Sequence, residues 1–236
     1  MVRAIVTDIE GTTTSLSFVK DTLFPYARAH IGAYLRRHSE DPLVKQQLEA
    51  VSAETGRVLT LDESIAQLLA WIDADRKITP LKALQGMVWE AGYRNGAYQG
   101  HIYADARDRL VDWQARGVRL YVYSSGSVKA QQLLFAATAY GDLTPLFSGF
   151  FDTRIGAKVE ATSYTNIAGE IGLPAGDILF LSDIDRELDA ARCSGMQTCW
   201  LVRDGALDPA AAHRQVRDFN AVDRLCLGAD AQRGAG

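Results

Sequence analysis

Short apolar runs recur along this chain, and each main run ends in a polar or charged cluster. The clear runs lie at 2–7, 118–123, 178–181 and 198–202, with a weaker one at 147–151. Segments with helical patterns separate them, and this alternation predicts a parallel sheet covered by helices on both faces. Strands buried on both faces lack polar alternation, and these runs mostly lack it. The sequence therefore predicts an α/β fold, with ligand-binding residues at the carboxyl ends of its strands.

The chain between the first two runs contains no convincing strand. Helical patterns cover 18–38, 42–56, 62–75 and 80–92 in this block, and a further helix is predicted at 103–116. Asp41 and Thr79 each precede a proline, which predicts a capping residue followed by proline at the first helical position. We expect a helical subdomain at 16–99, inserted into a core made of 1–15 and 100–228, with a frayed tail at 229–236.

Composition narrows the class of protein. The chain has 236 residues, a net charge of −4 and a hydrophobic fraction of 47%, as ordinary globular proteins do. The chain has no basic patch of the kind that binds nucleic acid. No stretch of it reaches the ~20 consecutive apolar residues that are needed to span a bilayer. Cys193, Cys199 and Cys226 lack the spacing of a metal site or redox motif. We therefore expect reduced thiols, a cytoplasmic setting, and neither nucleic acid nor membrane as a partner.

Two carboxylates follow the first apolar run. Asp8 and Glu10 are two positions apart, so their side chains share one face of an extended backbone. An acid pair at a strand end can hold a metal ion, attack phosphorus or transfer protons. Asp8 fits the nucleophile of a phosphoryl transfer, and Glu10 fits the group that donates and then accepts a proton. The alternative is a turn-forming or helix-capping role for the same pair.

Candidate anion-binding groups follow the second run. The hydroxyls of Ser124 and Ser125 and the backbone amide of Gly126 are predicted to lie at a helix N-terminus, where a phosphate is stabilised. The alternative is a plain serine cap on that helix. Taken alone, this segment does not decide between the two.

A cation and further acids complete the set. Lys158 follows the weak fifth run in a polar loop, from which it can offset the charges of a nucleophile and a phosphate. Asp183 follows the third clear run and, with Asp8, makes a candidate Mg²⁺ site. Asp185 and Glu187 are candidates for orienting waters or Lys158. Each residue alone also fits an ordinary surface position, but their joint order after successive strands indicates a phosphoryl-transfer site.

With these motifs in order, the chain resembles the haloacid dehalogenase-like hydrolases over essentially its whole length. The resemblance implies a Rossmann-like doubly wound parallel sheet with a helical cap inserted after the first strand, an aspartyl-phosphate intermediate and one Mg²⁺ per chain. Phosphatases of that superfamily usually read Asp-x-Asp-Gly-Thr, whereas Glu10 is the second acid here. This glutamate narrows the resemblance to the enolase-phosphatase (acireductone synthase) family of methionine salvage. The other segments that carry it are Phe24-Pro25-Tyr26, Asp75-Arg76-Lys77, Leu84-Gln85-Gly86, Tyr123-Ser124-Ser125-Gly126-Ser127, Phe151-Asp152-Thr153, Lys158-Val159-Glu160 and Ser163-Tyr164.

The family resemblance implies a substrate and a set of roles. The substrate is 2,3-diketo-5-methylthiopentyl 1-phosphate, which is enolised and then dephosphorylated to the acireductone 1,2-dihydroxy-3-keto-5-methylthiopentene. This small-molecule phosphate ester is the expected partner, and we expect the chain to act as a monomer. Carried over by position, the roles are catalysis for Asp8, Glu10 and Lys158, phosphate binding for Ser124, Ser125 and Lys158, and metal binding for Asp8, Glu10 and Asp183.

Other interpretations share parts of this pattern. A general sugar- or nucleotide-phosphate phosphatase explains the core motifs equally well. The second acid and the large helical insertion disfavour a receiver-like phosphoacceptor module, and a dehalogenase needs neither a proton donor nor Mg²⁺. In the helical block, the candidates for contact with the methylthio group are Trp71, Met87, Trp89 and Tyr93, although ordinary helical core is the interpretation that their spacing favours.

Overall fold

The computed structural model describes residues 1–227. The chain divides into two compact units, one formed by Met1–Leu16 with the chain from Gly100 onward, the other by Ser17–Gln99. The tail predicted at 229–236 lies outside the described residues. Within residues 1–227, no helix combines the length and apolar character needed to cross a membrane.

The first unit is built on a six-stranded sheet with the order β3-β2-β1-β4-β5-β6, and every neighbouring pair is parallel. This order is that of doubly wound sheets, so the predicted fold class is confirmed. The chain order reverses between β1 and β4, the place where such sheets bind ligands. The strands are β1 (Ala4–Thr7), β2 (Arg119–Tyr123), β3 (Gly149–Phe151), β4 (Ile178–Ser182), β5 (Gln197–Leu201) and β6 (Gln215–Val216).

The second unit is helical. Asp41 caps its helix as predicted, because its carboxylate accepts a hydrogen bond from the Leu43 amide at 2.8 Å. The prediction for Thr79 is wrong, since the helix already includes Thr79, and Ile78 takes the cap position without a side-chain hydrogen bond. The helical elements of this region are α1 (Leu16–Phe18), a π-helical turn (Val19–Leu23), α2 (Phe24–Arg37), α3 (Pro42–Thr55), α4 (Leu61–Asp73) and α5 (Thr79–Arg94).

The helical unit has an apolar core of its own. Ala27, Ile31 and Leu35 recur every fourth position along α2 and are fully buried, so they form one apolar face. This face belongs to a single cluster with Leu68 of α4 and Leu84 of α5. A separate core of this kind lets residues 17–99 form a compact unit.

Helices flank the sheet of the first unit. Both faces are covered, so every residue of β1 and β4 is buried. The two-residue strand β6 was not predicted, because it contains no apolar run. The helices are α6 (Ala104–Ala115), α7 (Val128–Ala136), α8 (Ala161–Ile171), α9 (Asp185–Cys193) and α10 (Phe219–Val222), followed by a π-helical turn at Asp223–Leu227.

Candidate active site

The register of the sheet places the ends of three strands side by side. Thr7 of β1 pairs with Val122 of β2 and with Leu181 of β4. The backbone amide of Asp8 continues this alignment by donating a hydrogen bond to the carbonyl of Leu181 at 2.8 Å. Residues that follow these strands therefore leave the sheet at one edge, where parallel α/β sheets bind ligands.

Lys158 lies between two carboxylates at this edge. Its Nζ is 2.7 Å from Oδ1 of Asp8 and 2.6 Å from Oε2 of Glu187, and its side chain is only 10% exposed. Burial alone would lower the pKa of Lys158, but the charges and hydrogen bonds of the two acids outweigh burial and raise it. The ammonium group therefore stays charged and offsets the negative charge of Asp8.

Glu187 is held in place by Ser182, the last residue of β4. The Ser182 hydroxyl donates to Oε2 of Glu187 at 2.9 Å and accepts a hydrogen bond from the Ile184 amide at 3.1 Å. Burial, and then the charge of Asp8, raises the pKa of Glu187. A chain of contacts thus runs from the backbone after β4 through Ser182 and Glu187 to Lys158, as expected for a residue that orients the lysine.

Asp185, the other acid predicted to orient waters or Lys158, lies away from Lys158. Its side chain is exposed, and its carboxylate accepts a hydrogen bond from the Arg186 amide at 2.7 Å. This is the local role of an acid in the first turn of a helix. The structure therefore does not bring Asp185 to Lys158.

Asp183 packs against the loop that follows β1. A Cβ atom on Gly11 would lie 2.1 Å from Oδ2 of Asp183, and Gly11 has a φ of +73°, so only glycine fits this position. Within the described residues, Oδ1 of Asp183 is buried without a hydrogen-bond partner. Burial, followed by the charge of Asp8, raises the pKa of Asp183 to about 7.

The carboxylates of Asp8 and Asp183 fit a hard divalent cation. No group of three or more His, Cys, Asp or Glu side chains within residues 1–227 is arranged to hold a metal ion, so a site here would use fewer carboxylates. Mg²⁺ in phosphoryl-transfer sites is commonly bound by one or two carboxylates together with water and substrate phosphate. A cation would also satisfy the buried Oδ1 of Asp183 and stabilise its charged form against the nearby Asp8. The donors present therefore fit Mg²⁺.

The serine loop after β2 differs in detail from the prediction. Helix α7 begins at Val128, and its cap is Ser127, whose hydroxyl accepts a hydrogen bond from the Ala130 amide at 3.3 Å. The Gly126 amide, expected to face an anion, instead donates to Oγ of Ser124 at 3.2 Å. Ser124 is buried beside the strand end and Ser125 is exposed. The serine cap is thus supplied by Ser127, and it leaves the Ser125 hydroxyl at the surface.

A buried glutamine that no sequence pattern indicated fixes this loop. The side-chain amide of Gln131 on α7 donates to the carbonyls of Gly126 and Phe151, each at 2.8 Å. The side chain is only 1% exposed, so it joins the serine loop to the end of β3 inside the protein. Its single position on a helix gives no sequence pattern that would have indicated this role.

Glu10 lies on the loop just beyond Asp8. Its side chain is exposed, and its backbone forms a bridge with that of Thr14. The amides of Thr12 and Thr14 both donate to the carbonyl of Ile9, at 3.2 and 2.8 Å. This tight loop fixes the backbone around Glu10 at the same sheet edge that carries Asp8.

Arg203 secures the same loop from the far end of the chain. Its guanidinium donates to the carbonyl of Thr12 through Nε at 3.0 Å and Nη2 at 2.7 Å, and Nη1 lies 2.8 Å from Oδ2 of Asp105. The guanidinium also lies 4.1 Å from the ring centre of Tyr103. Arg203 follows the fourth clear run of the sequence, and its contact with Thr12 was not predicted.

The aromatic candidates of the helical unit pack mainly within that unit. Trp71 belongs to its buried core, and Met87 and Trp89 pack against the same cluster. The indole nitrogen of Trp89 donates to the carbonyl of Leu23 at 2.7 Å. The Tyr93 ring packs edge-on against Tyr98 with centroids 4.7 Å apart. These contacts agree with the helical-core interpretation.

The sheet order and the acidic edge correspond to a hydrolase family. The model of the haloacid dehalogenase-like hydrolases matches residues 2–195. The chain belongs to the haloacid dehalogenase-like hydrolase family, which confirms the resemblance inferred from its motifs. The phosphatases of that family generally use Mg²⁺.

Similar proteins of known name indicate which group of this family the chain resembles. Enolase-phosphatase E1 of Methylococcus capsulatus is 58% identical over 94% of this chain and 98% of its own length. Enolase-phosphatase E1 of Pseudomonas syringae is 56% identical over 94% of this chain and 97% of its own length. Among solved structures, the UTR4 protein of Saccharomyces cerevisiae matches with a TM-score of 0.77 and 34% identity, covering 93% of this chain and 99% of that one. The particular proteins that this chain resembles are thus the E1 enolase-phosphatases.

Proposed function

We propose that this chain is a Mg²⁺-dependent enolase-phosphatase of methionine salvage. It converts 2,3-diketo-5-methylthiopentyl 1-phosphate into the acireductone 1,2-dihydroxy-3-keto-5-methylthiopentene and inorganic phosphate. The observation that carries this proposal is the 58% identity to an enolase-phosphatase E1 over 94% of the chain, because this span includes the helical unit as well as the core. A match limited to the core would leave the substrate open.

Dephosphorylation begins at Asp8. Its carboxylate attacks phosphorus and forms an aspartyl phosphate, while Glu10 donates a proton to the leaving oxygen of the substrate. Glu10 then takes a proton from water, which attacks the phosphorus and releases inorganic phosphate and free Asp8. Lys158, already in contact with Asp8, holds a non-bridging phosphate oxygen together with the hydroxyls of Ser124 and Ser125.

Enolisation precedes this step in the same site. Glu10 removes a proton from C1, the C1–H electron pair forms the C1–C2 double bond, and the C2 carbonyl oxygen takes up the negative charge. This oxygen then takes a proton from water, so Glu10 keeps the C1 proton for the leaving oxygen in the next step. We assign Glu10 as the base because its side chain is one methylene longer than an aspartate and reaches further. The phosphate bound by Lys158 fixes the position of C1 relative to this base.

The metal-binding donors are the carboxylates of Asp8 and Asp183 and the backbone carbonyl of Glu10. Mg²⁺ bound there would supply positive charge that stabilises the phosphate and the developing enolate. Gly11 allows Asp183 to approach this loop, and Arg203 holds the carbonyl of Thr12 within it. The protein thus prepares the donors by fixing the backbone on both sides of Glu10.

The helical unit at 17–99 is the cap of this enzyme in our proposal. It excludes water during the reaction and recognises the methylthio end of the substrate. Its independent apolar core supports this role, because a unit with its own core can move without unfolding. We also propose that the enzyme acts as a monomer in the cytoplasm.

One assay tests the proposed function. The diketo phosphate is added with and without Mg²⁺, and enol absorbance in the ultraviolet is followed together with phosphate release. We expect Mg²⁺-dependent phosphate release preceded by the enol signal. Release of phosphate from sugar or nucleotide phosphates, with none from the diketo phosphate, would instead identify a general phosphatase of the same family.

A further inference from the structure

Three consecutive backbone carbonyls before the helix α8 are each held by a different hydroxyl. The Tyr123 hydroxyl donates to the carbonyl of Gly156 at 2.9 Å, and the Ser163 hydroxyl donates to that of Ala157 at 2.7 Å. The Tyr164 hydroxyl donates to the carbonyl of Lys158 itself at 2.7 Å. The loop that presents the lysine is therefore fixed at every peptide group from 156 to 158.

The donors are buried and come from the sheet and from a helix. Tyr123 and Tyr164 are fully buried and Ser163 is 1% exposed, so water does not compete for these hydrogen bonds. Burial raises the pKa of both tyrosines, which keeps the hydroxyls protonated as donors. Their rings pack edge-on with centroids 5.6 Å apart. The two tyrosine donors thus pack against each other inside the protein.

The loop is shaped to admit these hydroxyls. Gly156 has a φ of +137°, and a Cβ atom at this position would lie 2.1 Å from Oγ of Ser163. Only glycine leaves room for the Ser163 hydroxyl and adopts this backbone conformation without strain. Residue 156 is thereby adapted to the hydroxyl that fixes its neighbour, Ala157.

The lysine needs such support because its own side chain is flexible. A lysine carries its charge on a flexible four-carbon chain and has no planar fork to pre-organise its contacts. Lys158 nevertheless meets Asp8 at 2.7 Å and Glu187 at 2.6 Å simultaneously. A fixed backbone at Lys158 removes one source of freedom and leaves only the side-chain torsions to be set by the two acids.

We propose that Tyr164, together with Ser163 and Tyr123, is a positioning residue for Lys158 in phosphate binding and transfer. The hydroxyls touch neither substrate nor reacting atoms, and they act through the peptide groups of the lysine loop. This inference rests on the proposed function to the extent that Lys158 binds the phosphate of the substrate. It assigns a role to three residues for which the family resemblance gave none.

Removing single hydroxyls tests the inference. Tyr164→Phe deletes the donor to the Lys158 carbonyl. Tyr121→Phe is the matched control, because Tyr121 lies in the same apolar cluster and its hydroxyl has no hydrogen-bond partner within residues 1–227. With p-nitrophenyl phosphate and Mg²⁺, we expect Tyr164→Phe to lower kcat/KM about tenfold and Tyr121→Phe to leave it within about twofold. Ser163→Ala, expected to act in the same direction, serves if Tyr164→Phe fails to fold.

Coupling to Lys158 separates positioning from general stability. The affinity for inorganic phosphate is measured by calorimetry in the presence of Mg²⁺, so no turnover is needed. We expect Tyr164→Phe to weaken phosphate binding about fivefold in the wild-type background and less than about 1.5-fold in Lys158→Met. The proposal would be overturned if Tyr164→Phe weakened phosphate binding equally in both backgrounds. It would also be overturned if Tyr121→Phe weakened phosphate binding as much as Tyr164→Phe does.

The outcome is independent of substrate identity. Inorganic phosphate and p-nitrophenyl phosphate report on Lys158 whether or not the diketo phosphate is a substrate. Failure of the wild-type protein to enolise the diketo phosphate would contradict the proposed function alone. Additive effects of Tyr164→Phe and Lys158→Met would contradict the positioning role alone.

Discussion

The Nζ atom of Lys158 lies 2.7 Å from Oδ1 of Asp8, although the two residues come from opposite halves of the chain. This contact places a buried cation against the proposed nucleophile. A charge held ready in a buried site needs little reorganisation when the phosphate arrives. Glu187 completes the arrangement by contacting the same ammonium at 2.6 Å.

Replacing Glu187 by glutamine should slow the enzyme without unfolding it. The neutral amide keeps the shape but weakens the hold on Lys158, so we expect kcat to fall about tenfold. Asp185→Asn is the matched control, because this exposed acid on the same helix accepts a hydrogen bond from the Arg186 amide and does not contact Lys158. Steady-state kinetics of both variants test this prediction. Equal effects on kcat would contradict a role of the Glu187–Lys158 contact in turnover.

A side chain at Gly11 should damage the metal site. Gly11→Ala forces a Cβ atom against Asp183, where only 2.1 Å is available, and strains a backbone with φ of +73°. We expect at least about a hundredfold loss of activity and a higher Mg²⁺ concentration for half-maximal rate. Gly172→Ala controls for strain alone, because Gly172 has a φ of +69° and nothing within 4 Å of a Cβ atom.

The glycine control has its own expected result. Gly172→Ala should cost about 1 kcal/mol of unfolding free energy and leave the Mg²⁺ dependence unchanged. Urea unfolding of both variants, measured alongside activity, separates the two causes. A Mg²⁺ dependence that shifts equally in both would show that backbone strain, rather than the approach to Asp183, is responsible.

Glu10→Asp should separate the two reactions of the site. The shorter acid can still transfer a proton at the leaving oxygen, so we expect measurable phosphate release from p-nitrophenyl phosphate. Removal of the C1 proton needs the longer reach, so the enol signal from the diketo phosphate should be lost. Parallel loss of both activities would mean that the length of glutamate does not serve enolisation.

Asp223 should make stability depend on pH in the acid range. Its carboxylate accepts a hydrogen bond from Trp113 at 2.8 Å and pairs with Arg116. Burial opposes ionisation, but these hydrogen bonds outweigh it and lower the pKa of Asp223 below the ordinary 3.8. The folded protein therefore binds fewer protons here than the unfolded chain, and the stabilisation is present above pH 3.8 and lost as pH falls through the folded pKa.

The corresponding variant is Asp223→Asn. At about pH 7 it should be less stable than the wild type by about 1–2 kcal/mol, because charge-assisted hydrogen bonds are lost. At about pH 3 the difference should shrink, since the wild-type carboxylate is then increasingly protonated. Urea unfolding at both pH values measures this, and a constant difference would contradict the assigned cause.

Local sequence signals were sufficient for much of the fold. Runs such as the one ending at Thr7 predicted the main strands within two residues, because buried parallel strands are continuously apolar. The Asp41-Pro42 pair likewise marked a helix start, since both cap and proline act within one turn. The two-residue strand β6 carried no such signal, because its pairing with β5 is a tertiary contact.

In the site, too, local sequence signals were sufficient for some residues, whereas tertiary contacts left no signal for others. Asp8, Asp183 and Lys158 were predicted as site residues because their residue types suit phosphoryl transfer and each follows a strand. Arg203 was missed as a partner of Thr12 because the two lie 191 positions apart and meet only in the folded chain. The hydroxyl of Tyr164 was likewise noted only as part of a motif, since a hydrogen bond to a backbone carbonyl leaves no pattern in the sequence.

Trapping of the phosphorylated enzyme tests the central claim, that Asp8 is the nucleophile, most directly. The enzyme is quenched during turnover and reduced with borohydride, which converts an aspartyl phosphate into homoserine, and the peptides are analysed by mass spectrometry. We expect homoserine at position 8 only when both substrate and Mg²⁺ are present. Homoserine at another acid, or an unmodified position 8 throughout a phosphate burst, would contradict it.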